Sequence, residues 1–135
     1  MKAENIKFKA KRLDNNTWVE GYFYAECGNT YIIEDRQSES MLNRNEAHQV
    51  DPLTVCQFTG LKDCKGNEIW EHDLLQSQET KAIYEVVWYE DGGFVIKDSV
   101  GGGHLLNFLG SILSVFKFKV VGNKFEVAYG KTNNN

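Results

Sequence analysis

The chemistry-bearing residues of this chain are three histidines, three cysteines and two short acidic runs. His48, His72 and His104 are far apart, and none falls in an HExxH or paired-histidine spacing. Cys56 and Cys64 have seven residues between them and no second pair, while Cys27 stands alone. A structural zinc site needs four N or S ligands in recognisable spacing, so the expectation is no metal and no cofactor. Asp63–Gly66 has the outline of a calcium loop. Cys64 and Lys65 stand where oxygen ligands belong, and the bidentate glutamate register is missing. Ser99, Ser111 and Ser114 lack the GxSxG context of a nucleophile. The cysteines lack a local catalytic signature, and a buried cysteine is ordinarily a small core hydrophobe. Gly101-Gly102-Gly103 lacks both the GK[ST] ending and the GxGxxG spacing of a phosphate cradle, and reads as a hinge or strand exit. Glu68, Glu71 and Asp73 cluster in sequence, and Glu90-Asp91 sit in a hairpin turn. Acid–base catalysis needs two carboxylates facing one pocket with separated pKa values, which this spacing does not supply. Asp73 reads as structural, accepting hydrogen bonds from turn N–H groups. The chain is therefore expected to be non-enzymatic.

The elements that carry these residues follow from composition and period. A chain of 135 residues with 41 % apolar and 25 % charged residues fits one soluble domain. Eight Phe, six Tyr and three Trp favour β structure. The net charge of −4 gives no global field for nucleic acid. A local basic face remains: Lys7, Lys9 and Lys11 project to one side of an extended strand, which reads first as a lysine-protected edge strand. An odd cysteine count without CxxC or a secretion signal points to reduced thiols in a cytosol. No apolar run is long enough to span a bilayer.

Ile6–Ala10 alternates with period two and reads as a strand. Asp14–Asn16 is a turn, Trp18–Ala25 a second strand, Gly28-Asn29 a turn, and Thr30–Glu34 a third strand. Asp35–His48 reads as a loop with at most a helical turn. Val50–Thr59 reads as a strand, followed by a polar turn over Asp63–Asn67 in which Gly66 takes positive φ. Ala82–Tyr89 and Phe94–Lys97 form a hairpin across Glu90–Gly93. Leu105, Leu109, Ile112 and Phe116 recur at helical spacing, with a bent strand as the alternative. Phe116–Val121 is a strand, Gly122-Asn123 a turn, Phe125–Tyr129 a terminal strand and Thr132–Asn135 a frayed tail. Phe58, Leu61, Ile69, Trp70, Val86, Trp88, Phe94 and Ile96 are the candidate core or barrel-lining positions.

One stretch carries a family likeness. Gln57-Phe58-Thr59-Gly60-Leu61-Lys62-Asp63, then Gly66, Glu68-Ile69-Trp70-Glu71 and Asp73, resembles the Q-Y/F-T-G-L-x-D-x-x-G-x-x-I-Y/W-E-G-D signature of the YopX family of phage and prophage proteins. Further likeness lies at Phe8, Trp18–Gly21, Tyr84–Trp88, Phe94 and Val120–Asn123. His72 replaces the usual glycine, and Val127-Ala128 replace the usual Asn-Pro. The resemblance implies a mainly β protein with an SH3-like barrel and a smaller N-terminal β part; together with the reading of the residues this places an N-terminal β lobe and loop at 1–49, a barrel lobe at 50–130 with one short helix, and a tail at 131–135. It implies a phage or prophage origin and the bacterial cytoplasm, and it transfers no catalytic residue. The motif residues Thr59, Gly60, Leu61, Asp63, Gly66, Ile69, Trp70 and Asp73 read as structural.

The functional expectation is an accessory or binding protein whose partner is another protein or a second copy of itself. Self-association is suggested by apolar surface in the 105–116 stretch. The alternative is nucleic-acid binding by a basic or aromatic β face, for which Trp18, Trp70, Trp88 and Tyr89 are the available aromatics.

Overall fold

The computed structural model describes residues 5–34, 46–90, 93–98 and 107–126. Its contacts divide the chain into two compact units, Met1–Phe58 and Thr59–Asn135.

The first unit is an antiparallel meander of β1 (Phe8–Lys11), β2 (Trp18–Glu26), β3 (Asn29–Glu34) and β4 (Ala47–Val50). The first residues of β5 (Cys56–Lys62) pair with β1, with Phe8 opposite Gln57 and Lys9 opposite Cys56. Strand β1 is thus interior, between β2 and β5. The edge-strand reading of its lysines is corrected accordingly. Their charge is accommodated on aromatic rings instead of along a free edge. Period two puts Ala10, Val19, Ile32 and Val50 on one face, where they form a buried cluster with Phe8 and Val55 packed against it. The β2–β3 turn is Cys27-Gly28, with φ of 53° and 80°, and Asn29 already opens β3. Two residues at positive φ suit the twist of a tight hairpin.

Two further expectations change in this unit. Ala47 and His48 belong to β4, opposite Ile33 and Ile32, and not to a loop. Residues 35–45 lie outside the described set. The segment gives little period-two signal because Val50 is its one buried residue, yet its backbone satisfies the open edge of β3. The strand expected over Val50–Thr59 is split by a 3₁₀ turn at Pro52–Thr54. Proline cannot donate to a ladder. Asp51 caps the turn by accepting from the Leu53 amide at 3.0 Å, and Thr54 Oγ1 accepts from the Lys11 amide at 2.9 Å.

The second unit holds the rest of β5, then β6 (Glu68–Trp70), β7 (Asp73–Ser77), β8 (Ile83–Tyr89), β9 (Gly93–Asp98), β10 (Asn107–Phe108), α1 (Leu109–Val115) and β11 (Phe118–Asn123). Strand β6 lies beside β5. The others make a sheet in the order β10-β9-β8-β7-β11, antiparallel throughout. Ile69, Leu75, Val86, Ile96, Leu109 and Phe118 form its core. Ile112 and Leu113 of α1 pack on that core.

The helix is shorter than the apolar spacing predicts. Phe108 is extended and pairs with Val95 in β10, so α1 starts at Leu109 without a side-chain cap. It ends before Phe116, and Leu105 lies outside the described residues. Gly122-Asn123 is not a turn. Both residues lie in β11, after a register shift between Val120 and Gly122. The Asn123 side chain accepts from the Phe125 and Glu126 amides, each at 3.0 Å, and residues 124–126 are helical, so Phe125 and Glu126 do not open the strand expected over Phe125–Tyr129, whose remaining residues lie outside the described set. Trp88 is not core: it is 52 % exposed. It sits near the end of β8 and rests edge-on against Phe94 at 5.1 Å. Among the described residues no closed barrel is found. The architecture is mainly β, with two antiparallel sheets.

Candidate functional site

The motif residues of the second unit are held together by their polar atoms. Thr59 Oγ1 donates to the Ile69 carbonyl at 2.6 Å and accepts from the Leu61 amide at 3.2 Å. Gly60, between them, has φ of 83°. Leu61 packs on the core that Ile69 helps to form, and Trp70 is buried. The Trp70 amide donates to Asp73 Oδ2 at 2.8 Å, so Asp73 closes the β6–β7 turn. Asp63 does more. Its Oδ1 accepts from the Lys65 and Asn67 amides at 2.9 and 2.8 Å. Its Oδ2 accepts from the Asn67 side chain at 3.2 Å and, across 57 residues, from the Val120 amide at 2.9 Å. Gly66, with φ of 86°, lets the turn close. Burial pushes the Asp63 carboxyl up, but the amides of Val120 and Asn67, the Asn67 side chain and the Lys65 amide outweigh it. The pKa lies below the ordinary aspartate value. Asp63 is a latch between the turn and β11.

His72 shows why a glycine suits its position. Its φ is 72°, in the left-handed region that costs a side chain roughly 1–2 kcal/mol. Its amide donates to the Val86 carbonyl at 2.7 Å, and its carbonyl accepts from the Lys124 amide at 3.0 Å. The imidazole contributes contacts that glycine lacks. Nδ1 lies 3.0 Å from Glu85 Oε2, Nε2 lies 3.6 Å from Glu71 Oε2, and the ring meets Phe125 edge-to-face at 5.5 Å. Lys124 and Lys97 approach the same Glu85 carboxylate at 3.9 and 4.0 Å. Glu85 is buried, which raises its pKa, yet the hydrogen bond from His72 and the two lysines bring it below the ordinary 4.5. The sequence signal for this cluster was a glutamate inside the apolar run of β8, pointing opposite to Val86.

The sign of the Glu85 shift fixes a pH effect. A carboxyl with a depressed folded-state pKa stabilises the fold fully above its unfolded value, and loses that contribution as pH falls from there through the folded-state pKa. Glu85→Gln should therefore flatten the decline of melting temperature below about pH 5. Melting curves from pH 7 to 3 check this; parallel declines in both proteins would contradict it.

In the first unit the lysines meet aromatic rings. Lys9 and Lys11 Nζ lie 5.0 and 5.5 Å from the Trp18 ring centroid, and Lys7 Nζ lies 4.7 Å from that of Phe58. Lys7 also pairs with Glu20 at 3.6 Å. Tyr24 and Tyr31 stack at 4.9 Å across β2 and β3, and Tyr22 is 50 % exposed. A cleft of about 700 Å³ is lined by Lys7, Arg12, Trp18, Glu20, Tyr22 and Glu34 among others.

The pairing of β3 with β4 also assembles a group that sequence spacing concealed. His48 Nε2 lies 2.9 Å from Glu34 Oε2 and 3.7 Å from Glu46 Oε2. The three ligand-type atoms all fall within 4.8 Å of one another. The His48 side chain is nearly buried, while Glu46 is exposed. None of the three cysteines is in a disulfide; Cys27 and Cys64 are exposed, and the buried Cys56 thiol donates to the Thr54 carbonyl at 3.2 Å. No helix among the described residues is long and apolar enough to cross a membrane.

Two antiparallel sheets, with signature aspartates that accept hydrogen bonds from turn amides, define a small mainly β protein. The chain belongs to the YopX family: the family model described as YopX protein matches residues 4–128. No curated protein matches it.

Proposed function

We propose that this YopX-family chain is a non-enzymatic, phage- or prophage-encoded binding protein of the bacterial cytoplasm, and that it associates with a second copy through the surface around α1. The supporting observation is apolar exposure at both ends of that helix. Phe108, Val115 and Phe116 are 49 %, 70 % and 41 % exposed. Phe116 also lines an adjoining cleft of about 200 Å³ with Tyr84, Ile96, Ile112 and Phe118. Clustered apolar exposure marks association surfaces. Light scattering across a concentration series should show a dimer that Val115→Ser/Phe116→Ser converts to monomer. A wild-type monomer at every concentration would overturn the self-association.

A second reading, nucleic-acid binding through the Lys9–Lys11–Trp18 face, is favoured by the cations placed over an aromatic ring. It predicts salt-dependent fluorescence anisotropy with labelled single-stranded DNA or RNA. No binding at low salt removes it.

A further inference from the structure

We infer that Glu34, Glu46 and His48 form a binding site for a divalent transition-metal ion of the zinc class. One imidazole and two carboxylates are a mixed N/O donor set that suits such ions. The geometry adds what composition alone does not. Ligand atoms held about 2.0–2.1 Å from a tetrahedral ion lie roughly 3.3–3.4 Å from one another. The distances from His48 Nε2 to the two carboxylate oxygens, 2.9 and 3.7 Å, bracket that edge length.

The donors are placed by the backbone. His48 lies opposite Ile32 in the β3–β4 ladder, and the Glu34 amide donates to the Glu46 carbonyl at 2.9 Å. Period two then puts Glu34, Glu46 and His48 on one face. Burial holds the imidazole, whose side chain is only 11 % exposed. One ring nitrogen faces two carboxylate oxygens at 2.9 and 3.7 Å, a convergence of N and O donors on one point. Arg12 feels both glutamates electrostatically, but two hydrogen bonds of 2.9 and 2.6 Å commit its guanidinium to Asp14. Access comes from a cleft of about 450 Å³ lined by Arg12, Asp14 and His48, and from the larger cleft that Glu34 lines. The site is independent of the α1 surface, so either reading can fail alone.

The test uses zinc itself on the full chain. Cys27 and Cys64 are exposed, and thiolates are zinc ligands, so calorimetry is done in a Cys27→Ser/Cys64→Ser background. The expected result is one equivalent of zinc, with affinity falling at least tenfold in Glu46→Gln and in His48→Gln. Glu46 is exposed, so its substitution leaves the fold intact, as circular dichroism would verify. Cobalt should give visible absorption bands in the parent that vanish in both variants. Absence of binding, or equal affinity in parent and variants, overturns the site.

Discussion

Asp63→Asn should destabilise the protein by about 3 kcal/mol, as hydrogen bonds to a buried charged group are lost and a donor is left facing donors. The carboxylate accepts four hydrogen bonds, three of them from backbone amides. An amide has one oxygen. If it keeps the Lys65 and Asn67 amides, its NH₂ is turned toward the Val120 N–H and the Asn67 side-chain amide. The pH dependence should change as well. Asp63 has a depressed pKa in the fold, so its contribution is present above the unfolded value and lost as pH falls from there through the folded-state pKa. The variant should lose stability at pH 7 while its deficit shrinks toward pH 3. Urea titrations at several pH values check both statements. A constant deficit across that range would contradict the ionised latch.

Gly21→Ala should be at least as damaging, for a different reason. A Cβ at this position would stand 2.0 Å from the Ile33 carbonyl oxygen, 2.8 Å from its carbon and 3.1 Å from Glu34 Cα. These are backbone atoms of β3, held in register by the pairs Gly21–Glu34 and Tyr22–Ile33. They cannot rotate aside as a side chain would. Overpacking ordinarily costs about 1–3 kcal/mol, and a rigid backbone neighbour puts this case at or above the upper end. The melting temperature should fall by roughly 10 °C or more. Gly28→Ala is the matched control. It has open space around it but φ of 80°, so its cost should stay near the roughly 1–2 kcal/mol of left-handed backbone. Equal effects at the two glycines would show that close approach at Gly21 is relieved in solution.

Local chemistry made part of this fold legible. Strands β2, β3, β8 and β9 announce themselves by alternation and by glycine-bearing turns. The family signature was readable because Gly60 and Gly66 shape local turns and Asp63 accepts from Lys65 and Asn67 nearby, while its bond to the Val120 amide, 57 residues on, was not. What sequence concealed depends on pairing at long range. Lysines 7, 9 and 11 looked like edge protection because nothing local says that β5 returns to cover β1. His48 looked isolated because β4 carries almost no apolar pattern, so its register with Ile32, and hence its approach to Glu34, was invisible. Glu85 gave a signal, a charge within an apolar run, but its partners His72, Lys97 and Lys124 come from three other segments. Asn123 has the composition of a turn, and its use as a cap follows only from the shift in β11.

The central claim is that the family signature is a structural latch, with Asp63 holding β11 through the Val120 amide. Amide hydrogen exchange followed by NMR tests it most directly. In the wild-type protein the Val120 and Asn67 amides should exchange slowly, and in Asp63→Asn the Val120 amide should lose its protection while Val86 in β8 and Ile96 in β9, farther into the same sheet, keep theirs. Fast exchange at Val120 in the wild type, or protection unchanged in the variant, would contradict the latch.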